Sequence, residues 1–91
     1  MAKLTDKQRR IQNRKICRAA MLTLPDKRWT LAMLMVPFRE LTPGEVRESD
    51  LEEALKSNQS FGFVATTYNP MIEEQEHQLT PHGTAMATQE D

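Results

Sequence analysis

The sequence predicts a small α+β domain, three helices followed by a two- or three-stranded hairpin sheet. Three observations predict it. Helix-start signals stand at Thr5 to Gln8 and Thr42 to Glu45, an apolar stretch runs from Trp29 to Phe38, and at Phe61 the pattern turns to β-branched and aromatic residues. A chain of 91 residues has room for one modest core, burying about 60 to 65% of the surface its unfolded form exposes. We expect one domain over residues 1–88 and a frayed tail at 89–91.

The first helix starts at Thr5, whose hydroxyl can accept from the backbone three residues on while Gln8 reaches back. Pro25 stops it by Leu24. Ile16, Cys17, Ala20, Met21 and Leu24 share one apolar sector, and Lys3, Lys7, Arg10, Arg14 and Arg18 form a basic stripe beside it. Leu, Ala and Met make the next stretch a buried helix from about Leu31 to Glu40, preceded by a short extended piece at Arg28 to Thr30. Thr42, Pro43 and Glu45 read as cap, first helical residue and capping-box partner, and Ser49 with Glu52 repeats the box. The third helix therefore runs either from Pro43 to Ser57 or from Asp50 onward, burying Leu51, Ala54 and Leu55.

From Phe61 to Tyr68 the chain reads as a strand, with Phe61, Phe63, Ala65 and Thr67 on one face. Asn69 and Pro70 turn it, a tip spans Met71 to Glu76, and a return strand covers His77 to Thr80. Pro81 to Gly83 breaks that strand, and Thr84 to Thr88 can add a terminal helical turn. Trp29, Phe38, Phe61 and Phe63 are core candidates, as are Met21, Met33 and Met35. Tyr68, at a strand end, is a candidate for contact with a partner or for covering the core.

Composition and motifs exclude several classes. One cysteine rules out a disulfide scaffold. The ten residues from Trp29 to Phe38 fall far short of the roughly 20 that cross a bilayer. The start, MAKLTDKQRR, lacks the apolar core of a secretory signal, so we expect a soluble cytoplasmic protein without membrane attachment. His77 and His82 lack a second ligand pair at zinc spacing, Cys17 lies on the apolar stripe, and no glycine-rich phosphate loop is present. No enzyme, cofactor, metal or small-molecule substrate is expected.

Charge is the informative quantity. Residues 1–39 carry ten Lys or Arg against two Asp, a balance of +8, whereas residues 40–91 carry two cations against eleven acids, a balance of −9. Opposite poles suit a polyanion-binding end, poles that neutralise one another within the fold, or two copies paired head to tail as a closed homodimer.

Two stretches carry a family resemblance. SDLEEALKSNQSFGFV resembles the third helix of winged helix-turn-helix domains running into the first wing strand. HQLTPHGTAMA is similar to the second wing strand and its exit in small bacterial or phage regulators of the multiple-antibiotic-resistance and phenolic-acid-repressor type, with Leu79, Thr80 and Gly83 in the Leu-Thr-x-x-Gly places. The resemblance implies a third helix in the DNA major groove and a wing against a minor groove or phosphates. Here the segment from Val46 to Asn58 carries Arg47 and Lys56 against Glu48, Asp50, Glu52 and Glu53, a net of −2, and the wing tip adds Glu73, Glu74 and Glu76.

The first expectation is therefore a small regulator that holds double-stranded DNA through Lys7, Arg10, Arg14 and Arg18 on the first helix, Lys27 and Arg28 after it, and Arg47 and Lys56 on the third. The alternative is an interaction or inhibitor module that meets a basic protein, or mimics DNA, through Glu52, Glu53, Tyr68, Met71, Ile72 and Glu74.

Overall fold

The computed structural model describes residues 4–89, so Lys3 of the basic stripe and positions 90 and 91 of the expected tail lie outside the described residues. Helix α1 spans Asp6–Leu22, α2 Leu31–Leu41, α3 Glu48–Ser60 and α4 Pro81–Gln89. Between α3 and α4 an antiparallel hairpin pairs β1, Val64–Asn69, with β2, Glu74–Leu79, in the register Val64 opposite Leu79 through Asn69 opposite Glu74. Trp29 and His77 exchange two backbone hydrogen bonds of 2.7 Å, adding a one-residue third strand along β2.

The capping box on α1 forms, with Gln8 N donating to Thr5 Oγ1 at 3.1 Å and Thr5 N to Gln8 Oε1 at 2.9 Å. The helix ends two residues before the expected Leu24, because the Thr23 hydroxyl donates to the Ala20 carbonyl at 2.7 Å and closes the last turn. Leu24 consequently leaves the buried stripe for solvent. Thr30 caps α2 by accepting from Met33 N, and Pro37 sits inside the helix without ending it. The carbonyl deprived of a partner by Pro37 is that of Met33, on the solvent side. Leu34, Met35 and Phe38 fill the core-facing sector and Met33 falls outside it, exposed rather than buried as expected.

Thr42 does not start α3. Its amide and hydroxyl both donate to the Phe38 carbonyl, at 3.1 and 2.6 Å, closing α2 instead. Gly44 then turns at φ +84°, and α3 opens after Arg47, whose amide donates to the Asp50 carboxylate at 2.8 Å. At its far end Gly62 N bonds Gln59 O and Phe63 N bonds Asn58 O, the paired closure that ends a helix on a left-handed residue; Gly62 supplies it at φ +79°. The strand expected from Phe61 therefore begins at Val64, and the face turned inward is that of Val64 and Thr66, opposite Leu79 and His77. Phe61, expected in the core, is 58% exposed.

The Leu79, Thr80, Gly83 stretch has a physical reason. Leu79 is core, Thr80 caps α4 by accepting from Gly83 N at 2.9 Å, and the Thr80 hydroxyl donates to Gly62 O at 2.7 Å. A Cβ at Gly83 would stand 2.0 Å from the Phe63 carbonyl oxygen, so no larger residue lets α4 sit this close. Pro81, expected to break the chain, is instead the first residue of a fourth helix, where its missing N–H costs no bond.

Candidate nucleic-acid interface

Helix α3 has an inner face against α1 and an outer face toward solvent. On the inner face Arg14 Nη2 meets Glu53 Oε1 at 2.6 Å, and Ser57 Oγ donates to the same oxygen at 2.7 Å. One turn further along, Arg18 Nη1 donates to Asn58 Oδ1 at 2.7 Å while Asn58 Nδ2 donates to the Arg14 carbonyl at 3.2 Å. The Arg18 guanidinium also lies 5.2 Å from the Phe63 ring centre, on a stack that continues to His82. Burial raises the Glu53 carboxyl, but hydrogen bonds from Arg14 and Ser57 and the positive charges of Arg14 and Arg10 outweigh it and hold the group below its ordinary range. Cys17 lies beneath this seam, its thiol pushed up to about 12 by burial, which leaves it protonated and unreactive.

The expected phosphate-contacting stripe therefore divides. Lys7 and Arg10 are exposed, whereas Arg14 and Arg18 turn to α3 and hold it in place. Arg28 is exposed, and Lys27 lies 4.6 Å from the Trp29 ring centre. Arg47, at the start of α3, and Lys56, in its later half, are both exposed. Two of the acids that weighed against this helix are engaged, Asp50 on the Arg47 amide and Glu53 on Arg14. Over Val46 to Asn58, pairing Glu53 with Arg14 leaves Glu48, Asp50 and Glu52 against Arg47 and Lys56, so the net of −2 becomes −1.

Two cations that sequence reasoning did not assign stand beside this helix. Arg39, in the last turn of α2, lines a shallow pocket with Arg47 and Gly44 to Val46, and Arg9 lines a second with the same turn and Asp50. The signal for Arg39 was its place one residue after core Phe38, on the solvent side, across a short loop from Arg47. Arg9, Arg39 and Arg47 thus gather around the α2–α3 turn.

The C-terminal half of α3 faces a different environment. An open cleft of about 550 Å³ separates it from β2. Leu31 and Leu55 line the cleft, as do Glu52, Lys56 and Gln59 of α3 and Glu74, Gln75 and His77 of β2. His77 is nearly buried, its Nδ1 2.8 Å from Thr66 Oγ1, and burial lowers its pKa, leaving a neutral ring. Of the residues expected to meet a partner, Glu52 lines this cleft, Tyr68 shares the hairpin face with Gln75 and His77, Glu74 stands at the cleft's rim on the opposite hairpin face beside Asn69, and Glu53 does not join them. Met71 and Ile72 project at the hairpin tip, Met71 90% exposed. Among the described residues no three His, Cys, Asp or Glu side chains are placed to hold a metal ion, and no helix is long and apolar enough to cross a membrane.

No family model matches the chain, and no curated protein matches it. Solved structures do. A MarR-family transcriptional regulator from Silicibacter pomeroyi is 23% identical with a TM-score of 0.67, matched over 85% of this chain and 47% of that one. A transcriptional regulator from Clostridium thermocellum is 15% identical with a TM-score of 0.71, over 97% of this chain and 84% of that one. The adhesin competence repressor of Streptococcus pyogenes is 19% identical with a TM-score of 0.61, over 97% of this chain and 54% of that one. The chain spans about half the length of the Silicibacter and Streptococcus proteins, and at these identities the shared property is the fold. By element order, hairpin and these likenesses, the chain is a winged helix-turn-helix domain resembling those of MarR-type regulators.

Proposed function

We propose that this chain is a non-enzymatic DNA-binding regulatory domain acting in the cytoplasm, and that it holds duplex DNA through the cations around its α2–α3 turn. Arg39 and Arg47 flank that turn, Arg9 approaches it from α1, and Lys7 and Arg10 on α1 and Lys56 on α3 are further exposed cations. Lys27 and Arg28 add charge at the loop before α2. The carrying observation is that Arg39 and Arg47 stand exposed at the α2–α3 turn with Arg9 beside it, while Glu53 of α3 is neutralised internally by Arg14. The similar structures being regulators by name supports the same reading. Arg14 and Arg18 act as positioning residues, fixing α3 against α1.

Fluorescence anisotropy with a labelled duplex tests it. Replacing Arg39 and Arg47 by Ala should weaken binding to any sequence and lower the slope of affinity against salt by about two, roughly one for each phosphate no longer neutralised. Binding unchanged in that double variant would remove the turn as the DNA-holding surface.

A further inference from the structure

We infer that the outer edge of β1 pairs with β1 of a second copy of this chain, joining the two hairpins into one continuous antiparallel sheet. β1 is an edge strand, with β2 on one side only. Which of its backbone groups face outward follows from β2. His77 spends its N–H and its C=O on Trp29, away from β1, so His77 and Thr66 oppose one another without exchanging hydrogen bonds. Thr66 therefore turns its own N–H and C=O outward, and Val64 and Tyr68, two residues to either side, do the same. Among the described residues no strand or loop bonds this edge.

The edge also lacks the features that keep edges apart. The strand VATTYN holds no charged residue and no proline, and its register with β2 runs without a bulge. A row of free donors and acceptors of this kind takes a further strand. Glu73, Glu74 and Glu76 beyond it turn away a polyanion, whereas the strand is its own complement. With a two-fold axis at Thr66, Thr66 stands opposite Thr66 of the second copy and Val64 opposite its Tyr68, so every outward N–H and C=O finds a partner. No other register opposes these residues only to one another. The same arrangement covers exposed apolar surface. Phe61, 58% exposed, lies ahead of β1, Tyr68, 61% exposed, near its end, and Met71, 90% exposed, past it. Antiparallel pairing sets the start of each strand beside the end of the other, so Tyr68 and Met71 of each copy come to the Phe61 end of the second.

The test uses the whole chain. Sedimentation equilibrium should show monomer passing to dimer as concentration rises from about 1 to about 500 μM. Tyr68→Pro removes an outward N–H without touching a bond to β2, and should weaken association about tenfold or more. Circular dichroism and a urea midpoint matching the parent keep that loss attributable to the edge. Cross-linking reads the register independently of the proline variant. Ala65 and Thr67, both exposed on the hairpin face away from the core, would stand opposite one another across the two-fold as a closely spaced pair. Chains with Ala65→Cys mixed with chains with Thr67→Cys should therefore form a disulfide at least about fivefold faster than either variant alone. Cys17, buried and protonated, takes no part. A chain that stays monomeric throughout, a dimer that folded Tyr68→Pro leaves unchanged, or mixed chains that cross-link no faster than each alone would overturn the proposal.

Discussion

Glu52 and Glu53 are neighbours in the chain and differ in everything that follows from position. Glu53 points at α1, accepts from Arg14 and Ser57, and belongs to the seam that fixes α3. Glu52 is exposed and lines the open cleft between α3 and β2. A helix turns about 100° per residue, so adjacent side chains sample different surroundings. The same division applies to the cations: Arg14 and Arg18 are structural, whereas Arg39 and Arg47 stand at the surface. Net charge along the sequence therefore misstates what a ligand meets.

The comparison breaks most severely at the inner face. Asn58 is fully buried, accepts from Arg18 and donates to the Arg14 carbonyl. Asn58→Ala should cost about 2 to 4 kcal/mol in urea denaturation, since it removes both bonds and leaves a cavity. A loss below about 0.5 kcal/mol would show the seam to be incidental.

Arg14→Ala should cost less, about 1 kcal/mol, because the pair with Glu53 is partly exposed. It also carries a pH signature. A carboxyl held low in the folded state contributes stability that is present above its unfolded value and is lost as pH falls through the folded one. Between about pH 6 and about pH 3 the parent chain should lose more stability than Glu53→Gln, and equal slopes would contradict the seam's electrostatic role.

The outer face should respond least. Glu52→Gln should leave the urea midpoint within about 0.5 kcal/mol of the parent, as an exposed carboxylate without an ion-pair partner among the described residues holds nothing together. A larger destabilisation would make Glu52 part of the scaffold and merge the two faces.

Much of the scaffold was legible in the sequence. The Thr5 capping box, the helix following Thr30, the extended piece at Trp29 and the turn at Asn69 each rest on local chemistry that the fold keeps. Three features were not legible for a common reason. Gly62 read as a strand residue because its left-handed turn depends on where α3 stops. Thr42 read as a helix start because a hydroxyl caps either end. The Pro81 and Gly83 pair read as a break because the space that demands glycine belongs to Phe63, twenty residues earlier.

The site was less legible than the fold. Spacing showed that Lys7, Arg10, Arg14 and Arg18 share a side of α1, but not that α3 covers its second half. In the same way the acids of α3 gave one charge total, although Glu53 spends its charge on Arg14 inside the molecule. Glu52 and His77, 25 positions apart, line one cleft only because the hairpin folds back along α3.

The most direct measurement of whether the outward cations hold DNA is a fluorescence titration of the chain into labelled random duplex at about 50 and about 200 mM salt. Three or four phosphate contacts predict affinity falling on the order of 40- to 150-fold across that interval. Absence of binding at the lower salt, or binding indifferent to salt, would contradict it.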